Sequence, residues 1–390
     1  MSVAMVKLNK KLEHLRLEKY LSGQFYFRAN EITGSIEFRR KTDSSWEDLN
    51  EYNIYRQLKL EGFRANLNEL IYLLKSDFVE RYNPFLAYFQ SLPAWTVGQP
   101  DTIKQLCDHV KAVNRERFER HLKKWMVRAV KCALEDSYCN KNAIILVHEQ
   151  QNSGKTTFIR FLCPPTLRNY VTENISFDKD SLIALTENFI INLDELATFT
   201  RVEINALKSI LSMSFVKERH PFERKAKKIT RRASFIGSTN MTEFLTDPTG
   251  NVQWIPFEIQ GIDWNYSTII QIDDAWAQAY ALYKAGFSCD VTAEEVAENE
   301  SENRQFILVT PEMKLILKYY EPGTREDHDL FRTTGEIEIG LKEVTNDMIK
   351  ISNIQLGKAL RTLGYTRDNR YAKDKGYPIK AYYLKFRNEK

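Results

Sequence analysis

Residues 143–162 read AIILVHEQQNSGKTTFIRFL, and this stretch decides the fold prediction for the whole chain. The apolar run from Ala143 to Val147 is typical of a strand that is buried on both faces, as in a parallel sheet. The polar residues that follow lead into the tripeptide Gly154-Lys155-Thr156, after which a helix is expected. A strand, a loop ending in Gly-Lys-Thr and a helix, in this order, are the context of a phosphate-binding loop.

Each residue type in this loop has a chemical reason to bind a polyphosphate. Backbone N–H groups at the start of a helix cradle an anion, and Gly154 lets the main chain approach it. Lys155 is expected to reach the β and γ phosphates of ATP, and the Thr156 hydroxyl to coordinate Mg²⁺. In the pattern GxxxxGK[ST], Glu149 replaces the first glycine, whereas Asn152 tolerates left-handed backbone geometry. The residues predicted to bind nucleotide are Ser153, Gly154, Lys155, Thr156 and Thr157.

Two further apolar runs end in polar residues that are suited to bind Mg²⁺ and to position a water molecule beside ATP. Residues 188–195, NFIINLDE, predict a strand that ends in two carboxylates. Asp194 would hold the Mg²⁺ and Glu195 would polarise the attacking water as general base. Residues 233–240, ASFIGSTN, predict a strand ending in Asn240, which would orient that water toward the γ-phosphate. A solvated acidic turn and a capped turn are the structural alternatives for these two motifs.

A basic segment lies between the second and third of these strands. A capping box at residues 200–203 predicts a helix, which is followed by the segment VKERHPFERKAKKITRR. Clustered cations interleaved with His220 and Phe222 are typical of a phosphate-backbone contact, although a charge run is often only a solvated face. The residues predicted to contact nucleic acid are Lys217, Arg219, Arg224, Lys225, Lys227 and Lys228.

Length and composition indicate a globular protein with two to four modules. The chain has 390 residues and a net charge of only +4, so whole-chain charge does not argue for a nucleic-acid partner. Its five cysteines form no CxxC pair, which argues against a zinc site or a disulfide framework. Neither a signal peptide nor a membrane-spanning run is recognisable, and a cytoplasmic protein is expected.

The pattern of elements predicts four regions and an α/β fold. Residues 1–82 combine a helix, a β-hairpin and a second helix around residues 67–74. Residues 83–140 are expected to be a helical linker, with one long helical region from about 102 to 139. Residues 141–292 would form a parallel sheet covered by helices. In residues 293–390, an acidic exposed connector or helix precedes a helix and a basic hairpin, RYAK and YPIKAYYLKF.

The order of these motifs resembles the virulence-associated protein E family. Members of that family are superfamily 3 helicase-like ATPases of phages and mobile elements, and this chain is most similar to the type found in Bacteroides-like bacteria. The stretches FYFRANEITGSIEFR, NPFLAYFQSLPAW, TEFLTDPTGNVQWIPFEI and DAWAQA also resemble those of the family. The resemblance implies a P-loop AAA+-like core, ATP and Mg²⁺ as cofactors, and a hexameric ring whose basic insertion grips single-stranded DNA.

Two departures from the family pattern bear on activity, of which Glu149 is the first. The family has two arginines where this chain has Val252 and Gln253. An arginine supplied by a neighbouring subunit is worth about 10³–10⁵ in rate in the best-studied cases. Together with Glu149, these positions are expected to flank the nucleotide and to weaken hydrolysis. The arginines that would substitute are Arg219, Arg224, Arg231 and Arg232, of which Arg231 and Arg232 are the foremost candidates for an arginine finger.

The C-terminal helix and hairpin suggest a winged-helix-like module that contacts duplex DNA. Its phosphate-binding candidates are Lys358, Arg361, Arg370, Lys373 and Lys380, and a packing or oligomerisation module with a solvated basic face is the alternative. The leading hypothesis for the chain is an ATP-dependent, ring-forming DNA helicase in replication of a mobile element or phage, with priming by a separate protein. A nucleotide-gated DNA-binding loader with little or no hydrolysis is the second hypothesis, and a P-loop phosphotransferase is the third.

Overall fold

The N-terminal part of the chain folds around its own small core. The computed structural model describes residues 3–173, 175–176, 178–194, 196–218, 227–245, 251–346, 349–372 and 376–387. The first elements are α1 (Val3–Gln24), β1 (Phe25–Asn30), β2 (Ile36–Arg40), β3 (Glu47–Asp48), α2 (Glu51–Leu60), α3 (Leu67–Leu74) and β4 (Glu80–Tyr82). Their sheet has the order β3-β2-β1-β4, in which β4 is parallel to β1. The predicted β-hairpin is confirmed, since β1 and β2 pair antiparallel.

The segment that joins this part to the central sheet differs from its prediction. It contains α4 (Pro84–Ser91), α5 (Thr102–Asp108), β5 (Val110–Ala112) and α6 (Arg115–Leu134). The prediction of one helical region from 102 to 139 is therefore wrong. Asn114 caps α6 by accepting a hydrogen bond from the Arg117 N–H, so α6 starts anew after the extended residues of β5.

The central part is a mixed sheet of six strands. The next elements are β6 (Ala143–Val147), α7 (Lys155–Phe161), β7 (Val171–Glu173), α8 (Lys179–Leu182), α9 (Ala184–Glu187), β8 (Ile190–Leu193), α10 (Arg201–Ser212), β9 (Phe215–Glu218), β10 (Lys227–Thr230), β11 (Ser234–Thr239) and β12 (Trp254–Ile262). The strand order is β5-β12-β6-β11-β8-β7. Strands β12, β6, β11, β8 and β7 are parallel, and β5 closes one edge antiparallel. The predicted α/β fold with a parallel sheet is confirmed at this level.

Both faces of the central sheet are covered, which explains the continuous apolar runs of its strands. After β12 come α11 (Tyr266–Ile269) and α12 (Ile272–Lys284). Ile144 and Leu146 point into a core formed with α4, α5, α6, α7 and α12. Ala143, Ile145 and Val147 point into a second core, formed with α10 and the C-terminal elements. All five cysteines are buried free thiols.

The C-terminal part packs helices against a second small sheet. Its elements are α13 (Ala293–Asn303), α14 (Pro311–Tyr319), β13 (Tyr320–Pro322), β14 (Leu330–Arg332), α15 (Thr334–Val344), α16 (Asn353–Thr362), β15 (Arg367–Ala372) and β16 (Tyr377–Phe386). Strand β16 pairs antiparallel with β13, β14 and β15. The predicted helix followed by a hairpin is thereby confirmed. Among the described residues, no helix combines the length and the apolar character needed to cross a bilayer.

The acidic helix α13 is fastened to the central part by buried polar contacts. Thr292 and Glu295 form a capping box that starts the helix. The Lys124 amine on α6 donates to Glu295 Oε2 at 2.8 Å, and the Arg117 guanidinium donates to Asn299 Oδ1 at 2.6 Å. Asn303 donates to the main-chain carbonyl oxygens of Asn251, just before β12, and of Trp254, its first residue. The acidic stretch is therefore a helix with one buried polar face.

Gly237 in the central strand β11 gives a first testable prediction. A Cβ at this position would lie 2.6 Å from the Leu193 carbonyl oxygen and 2.9 Å from the Leu193 Cβ on β8. The main chain of β8 would have to move to make room for this Cβ, and such a shift is unfavourable in the middle of a sheet. Gly237→Ala is therefore expected to destabilise the fold by about 1–3 kcal/mol. Thermal unfolding measures the change. The control is Gly23→Ala in α1, where no atom lies within 4 Å and unfolding should shift upward or stay unchanged. Equal midpoints for Gly237→Ala and the wild type would contradict the close packing described here.

Candidate functional site

The loop between β6 and α7 has the backbone conformation that its sequence predicts. Gly154, directly before α7, has a φ of +87°, and Asn152 has a φ of +57°. Both values lie in the left-handed region, which glycine and asparagine enter at least cost. The Glu149 side chain is exposed to solvent, so its carboxylate is free to point away from the loop. The chain thus turns from strand to helix without the first glycine of the GxxxxGK[ST] pattern.

The Lys155 amine lies inside this loop. It donates hydrogen bonds to the His148 carbonyl oxygen at 3.0 Å, to the Gln150 carbonyl oxygen at 3.2 Å and to Ser153 Oγ at 2.9 Å. Burial lowers the pKa of Lys155, and the negative charge of Asp194 acts in the opposite direction. The loop therefore encloses the Lys155 amine, whose three acceptors are uncharged oxygens. The charged oxygens of a phosphate accept stronger hydrogen bonds from an ammonium group than these uncharged oxygens do.

Asp194 is the residue on which three elements converge. Thr156 Oγ1 at the start of α7 donates to Asp194 Oδ1 at 2.8 Å. Ser238 Oγ, near the end of β11, donates to the same oxygen at 2.9 Å. Ser238 was not predicted as a site residue, although it lies inside the quoted stretch that ends in Asn240. Hydroxyl and carboxylate oxygens are the hard ligands that Mg²⁺ takes from proteins.

Of the other predicted site residues, Asn240 and Thr157 lie within the described part of the structure. Asn240 directly follows β11 at this same edge of the sheet, where the Thr239 carbonyl oxygen accepts from the His148 N–H at 3.2 Å. Thr157 lies on α7 and is exposed. Glu195 lies outside the described residues. Within the described ranges, no group of three or more His, Cys, Asp or Glu side chains is arranged to hold a metal.

An aromatic residue that the sequence analysis missed lies over the loop. A Cβ at Gly154 would approach the Trp264 ring to 2.9 Å and 3.1 Å, so the indole packs directly on this glycine. Trp264 follows β12 and is 53% exposed. The only signal in the sequence was an isolated tryptophan in a polar segment. Glycine is needed at residue 154 both for its backbone conformation and for this ring contact.

Within one chain, Val252 and Gln253 lie away from this loop, so their expected place beside a nucleotide concerns the nucleotide of a neighbouring subunit and stays a prediction. They directly precede Trp254, which pairs with Ala143 at the amino end of β6. The phosphate loop follows Val147 at the carboxyl end of β6, about 15 Å away at the usual rise of a strand. Gln253 contacts Ser212 at the end of α10, with 3.4 Å between the two side-chain polar atoms.

The described part of the basic segment forms a β-hairpin. Strands β9 and β10 pair antiparallel, with Lys217 opposite Lys228 and Glu218 opposite Lys227. All three lysine side chains are exposed. The predicted contacts Arg219, Arg224 and Lys225 lie outside the described residues. The Lys228 amine lies 4.1 Å from the centre of the Phe215 ring, a cation–π distance.

Arg231 is fully buried, which argues against its predicted role as an arginine finger. Its guanidinium donates to five main-chain carbonyl oxygens, those of Asn140, Ile210, Leu211, Met213 and Ala233, at 2.7–3.3 Å. These bonds bind the carboxyl end of α10 to the start of β11, so the group cannot also reach a neighbouring subunit. Arg232 forms an ion pair with the exposed Asp136 and keeps partial access to solvent.

The C-terminal candidates are spread over two elements. Lys358 and Arg361 lie on α16 and Lys380 lies on β16, and all three are exposed. Arg361 Nε donates to the Gly357 carbonyl oxygen at 3.1 Å. Lys373 lies outside the described residues, as does the side chain of Arg370.

Comparison with known proteins gives the family. A model of the virulence-associated protein E-like domain matches residues 90–307, more than half of the chain. The chain belongs to this family. The resemblance noted from the sequence is thereby confirmed, and the match covers the loop, Asp194, Ser238 and the hairpin. No curated protein sequence matches the chain.

Several solved structures resemble this virulence-associated protein E-like chain. The apo structure of the NrS-1 C terminal region (305–718) is 13% identical with a TM-score of 0.49, covering 95% of this chain and 99% of that one. A structure described as "SCCmec type IV Cch - active helicase" is 12% identical with a TM-score of 0.35, covering 93% of this chain and 92% of that one. At these values neither structure assigns a role to a residue of this chain.

Proposed function

We propose that this chain is an ATP-dependent, ring-forming DNA helicase that acts in replication of a mobile element. The observation that carries the proposal is the convergence of Thr156 and Ser238 on one oxygen of Asp194, beside the enclosed Lys155 amine. In this interpretation residues 141–292 are a P-loop core of the AAA+ type, and residues 293–390 a winged-helix-like module that contacts duplex DNA. Family membership supports the mobile-element context.

The residues at the loop fit ATP with Mg²⁺. Lys155 offers a cation that is already enclosed by loop oxygens, and Gly154 leaves no side chain between the main chain and the phosphates. Thr156 and Asp194 offer a hydroxyl and a carboxylate only 2.8 Å apart, a pair suited to a hard cation. When bound, ATP supplies the phosphoryl group whose transfer to water releases free energy. Ser153 and Thr157 complete the proposed nucleotide contacts.

The residues of this chain would divide the work of hydrolysis. Lys155 would neutralise charge on the β and γ phosphates, while Asp194 and Thr156 would hold the cation in register. Ser238 would fix the orientation of the Asp194 carboxylate through the hydrogen bond described above. Asn240 and Glu195 are proposed to position and polarise the attacking water.

Contacts with DNA are proposed for the exposed lysines of the hairpin. Lys217, Lys227 and Lys228 would grip the backbone of a single strand in the pore of a hexamer, together with Arg219, Arg224 and Lys225. Priming would come from a separate protein, and a cytoplasmic location follows from this role. The Arg231 guanidinium is bound to main-chain carbonyl oxygens of its own chain. Of Arg231 and Arg232, only Arg232 therefore remains a candidate for an arginine finger.

A second function is a nucleotide-gated DNA-binding loader with little hydrolysis. The observation that favours it is the absence of arginine at residues 252 and 253, combined with the buried state of Arg231. Binding of ATP would then change the affinity for DNA without turnover.

Steady-state ATP turnover, measured with and without single-stranded DNA, separates the two functions. We expect turnover that rises with single-stranded DNA and a particle mass near six chains when ATP and DNA are both present. Light scattering measures the mass in the same samples. Background turnover together with ATP-dependent DNA binding would replace the helicase by the loader, and a monomer under all conditions would contradict a ring.

A further inference from the structure

The N-terminal sheet carries a continuous stack of alternating aromatic and guanidinium groups. The Arg39 guanidinium carbon lies 4.7 Å from the centre of the Tyr26 ring and 5.2 Å from that of Trp46. On the other side of Trp46, the Arg28 guanidinium carbon lies 4.1 Å from the Trp46 ring and 3.8 Å from the Tyr82 ring. The order of the stack is therefore Tyr26, Arg39, Trp46, Arg28, Tyr82. We call these five side chains the aromatic–arginine stack.

This stack lies on the face of the sheet that the N-terminal core does not use. Residues Phe25, Phe27 and Ala29 of β1 pack into that core with α1, α2 and α3. The alternating residues Tyr26 and Arg28 must point the opposite way, because side chains alternate along a strand. Tyr26 pairs with Arg39 on β2, and its side chain is 47% exposed.

The two ends of the stack differ in their charge. At the inner end, Arg28 donates to the Glu37 carboxylate at 2.6 Å, and Asn30 donates to the same carboxylate at 2.9 Å. That end is neutralised within the chain. At the outer end, Tyr26 lies beside two cations, Arg39 and the exposed Lys41. Arg40 is on the other face of the sheet, where its guanidinium lies 5.7 Å from the centre of the Phe25 ring.

Two details of the outer end indicate a place for an additional planar group. The Lys41 amine lies 5.3 Å from the centre of the Tyr26 ring. In the described part of the chain, the Arg39 Nε–H is shielded from solvent yet has no hydrogen-bond acceptor. A purely structural stack would bury its terminal ring, whereas the Tyr26 ring is open to solvent. Its two cationic neighbours, Arg39 and Lys41, bind no carboxylate among the residues that the structure describes.

We propose that the outer end of the aromatic–arginine stack binds single-stranded nucleic acid. A base would stack on Tyr26 and extend the existing series of planar groups, and Lys41 would meet an adjoining phosphate. Every base has a π-face, so such a site tolerates any sequence, and its cations make binding sensitive to salt. The inference does not depend on ATP and adds a contact far from the phosphate loop in sequence.

Photocrosslinking of the full chain to a single-stranded oligonucleotide that carries 5-iodouracil tests the proposal without nucleotide present. We expect crosslinked peptides that contain Tyr26 or Trp46, identified by mass spectrometry. Crosslinks confined to residues 215–230 or to the C-terminal module would overturn the proposal. Since this measurement uses the wild-type chain, it stands whether or not the protein hydrolyses ATP.

Binding of a short oligonucleotide to matched variants provides the second measurement. Tyr26→Ala is expected to weaken the binding of a six-base oligonucleotide by about 5- to 100-fold, the effect of losing one stacking platform. Tyr72→Ala is the control, because Tyr72 is an exposed tyrosine of the same module on α3 and outside the stack. Equal affinity of the Tyr26→Ala variant and the wild type would contradict the proposal, and circular dichroism verifies that both variants fold.

Discussion

Replacing Lys155 by alanine is expected to lower ATP turnover by about 10²–10³-fold, the usual cost of removing one group that stabilises developing charge. Lys155 is a buried residue, and its amine is held by three oxygens of residues 148–153. It is therefore positioned before any phosphate arrives. Because the amine would contact both ground state and transition state, ATP affinity should fall as well, though by less than turnover.

The matched control for this variant is Lys141→Ala. Lys141 is exposed and lies just before β6, at the opposite end of the strand that leads to the loop. Its loss should leave turnover and ATP affinity unchanged. Phosphate release gives turnover, and equilibrium binding of a fluorescent ATP analogue gives affinity. If the wild type and Lys155→Ala both release phosphate at the background rate, the enzyme assignment fails and the loader remains.

Replacing Arg231 by alanine is expected to destabilise the protein by at least about 3 kcal/mol. Each hydrogen bond to a charged group is worth about 1.5–3 kcal/mol, and the variant would leave five buried carbonyl oxygens without their donor. Two of these oxygens, those of Ile210 and Leu211, belong to the last turn of α10. A cation there also interacts favourably with the helix dipole.

Arg232→Ala separates this structural role from a catalytic one. Arg232 pairs with the exposed Asp136, and its own side chain is only 15% exposed, so we expect a loss of about 1 kcal/mol, as for a typical point substitution. Chemical denaturation should therefore show a large loss for Arg231→Ala and a small one for Arg232→Ala. A stably folded Arg231→Ala variant that loses only DNA-stimulated turnover would show that the guanidinium serves a neighbouring subunit after all.

The parts of the fold that the sequence predicts are those with strong local signals. The runs around Ile144, Ile190 and Phe235 are buried on both faces, so nothing interrupts their apolar character. The hairpin of β1 and β2 is likewise predicted, since Gly34 supplies the left-handed turn. The parallel direction of the three site strands follows from the helices that connect them, whereas the position of β11 between β6 and β8 does not.

The errors arise where tertiary contacts outweigh local preference. Residues 110–112 are extended because β5 adds to the edge of a sheet whose adjacent strand, β12, lies some 150 residues further along the chain. No local pattern reveals such a partner. Arg231 looked like part of a solvated basic run, because the five carbonyls that surround it come from separate segments. The contacts of Trp264 with Gly154 and of Ser238 with Asp194 likewise join residues that are distant in the sequence.

The buried polar face of α13 has a consequence for how pieces of this chain can be exchanged between relatives. Lys124 and Arg117 on α6 find their counter-charge and their amide partner on this helix, at Glu295 and Asn299. A junction placed before α13 would leave the Lys124 amine without the Glu295 carboxylate. An unpaired buried charge strongly destabilises a folded protein. A graft that preserves the central sheet must therefore join after Asn303, so that α13 stays with the central part of the chain and not with the C-terminal part.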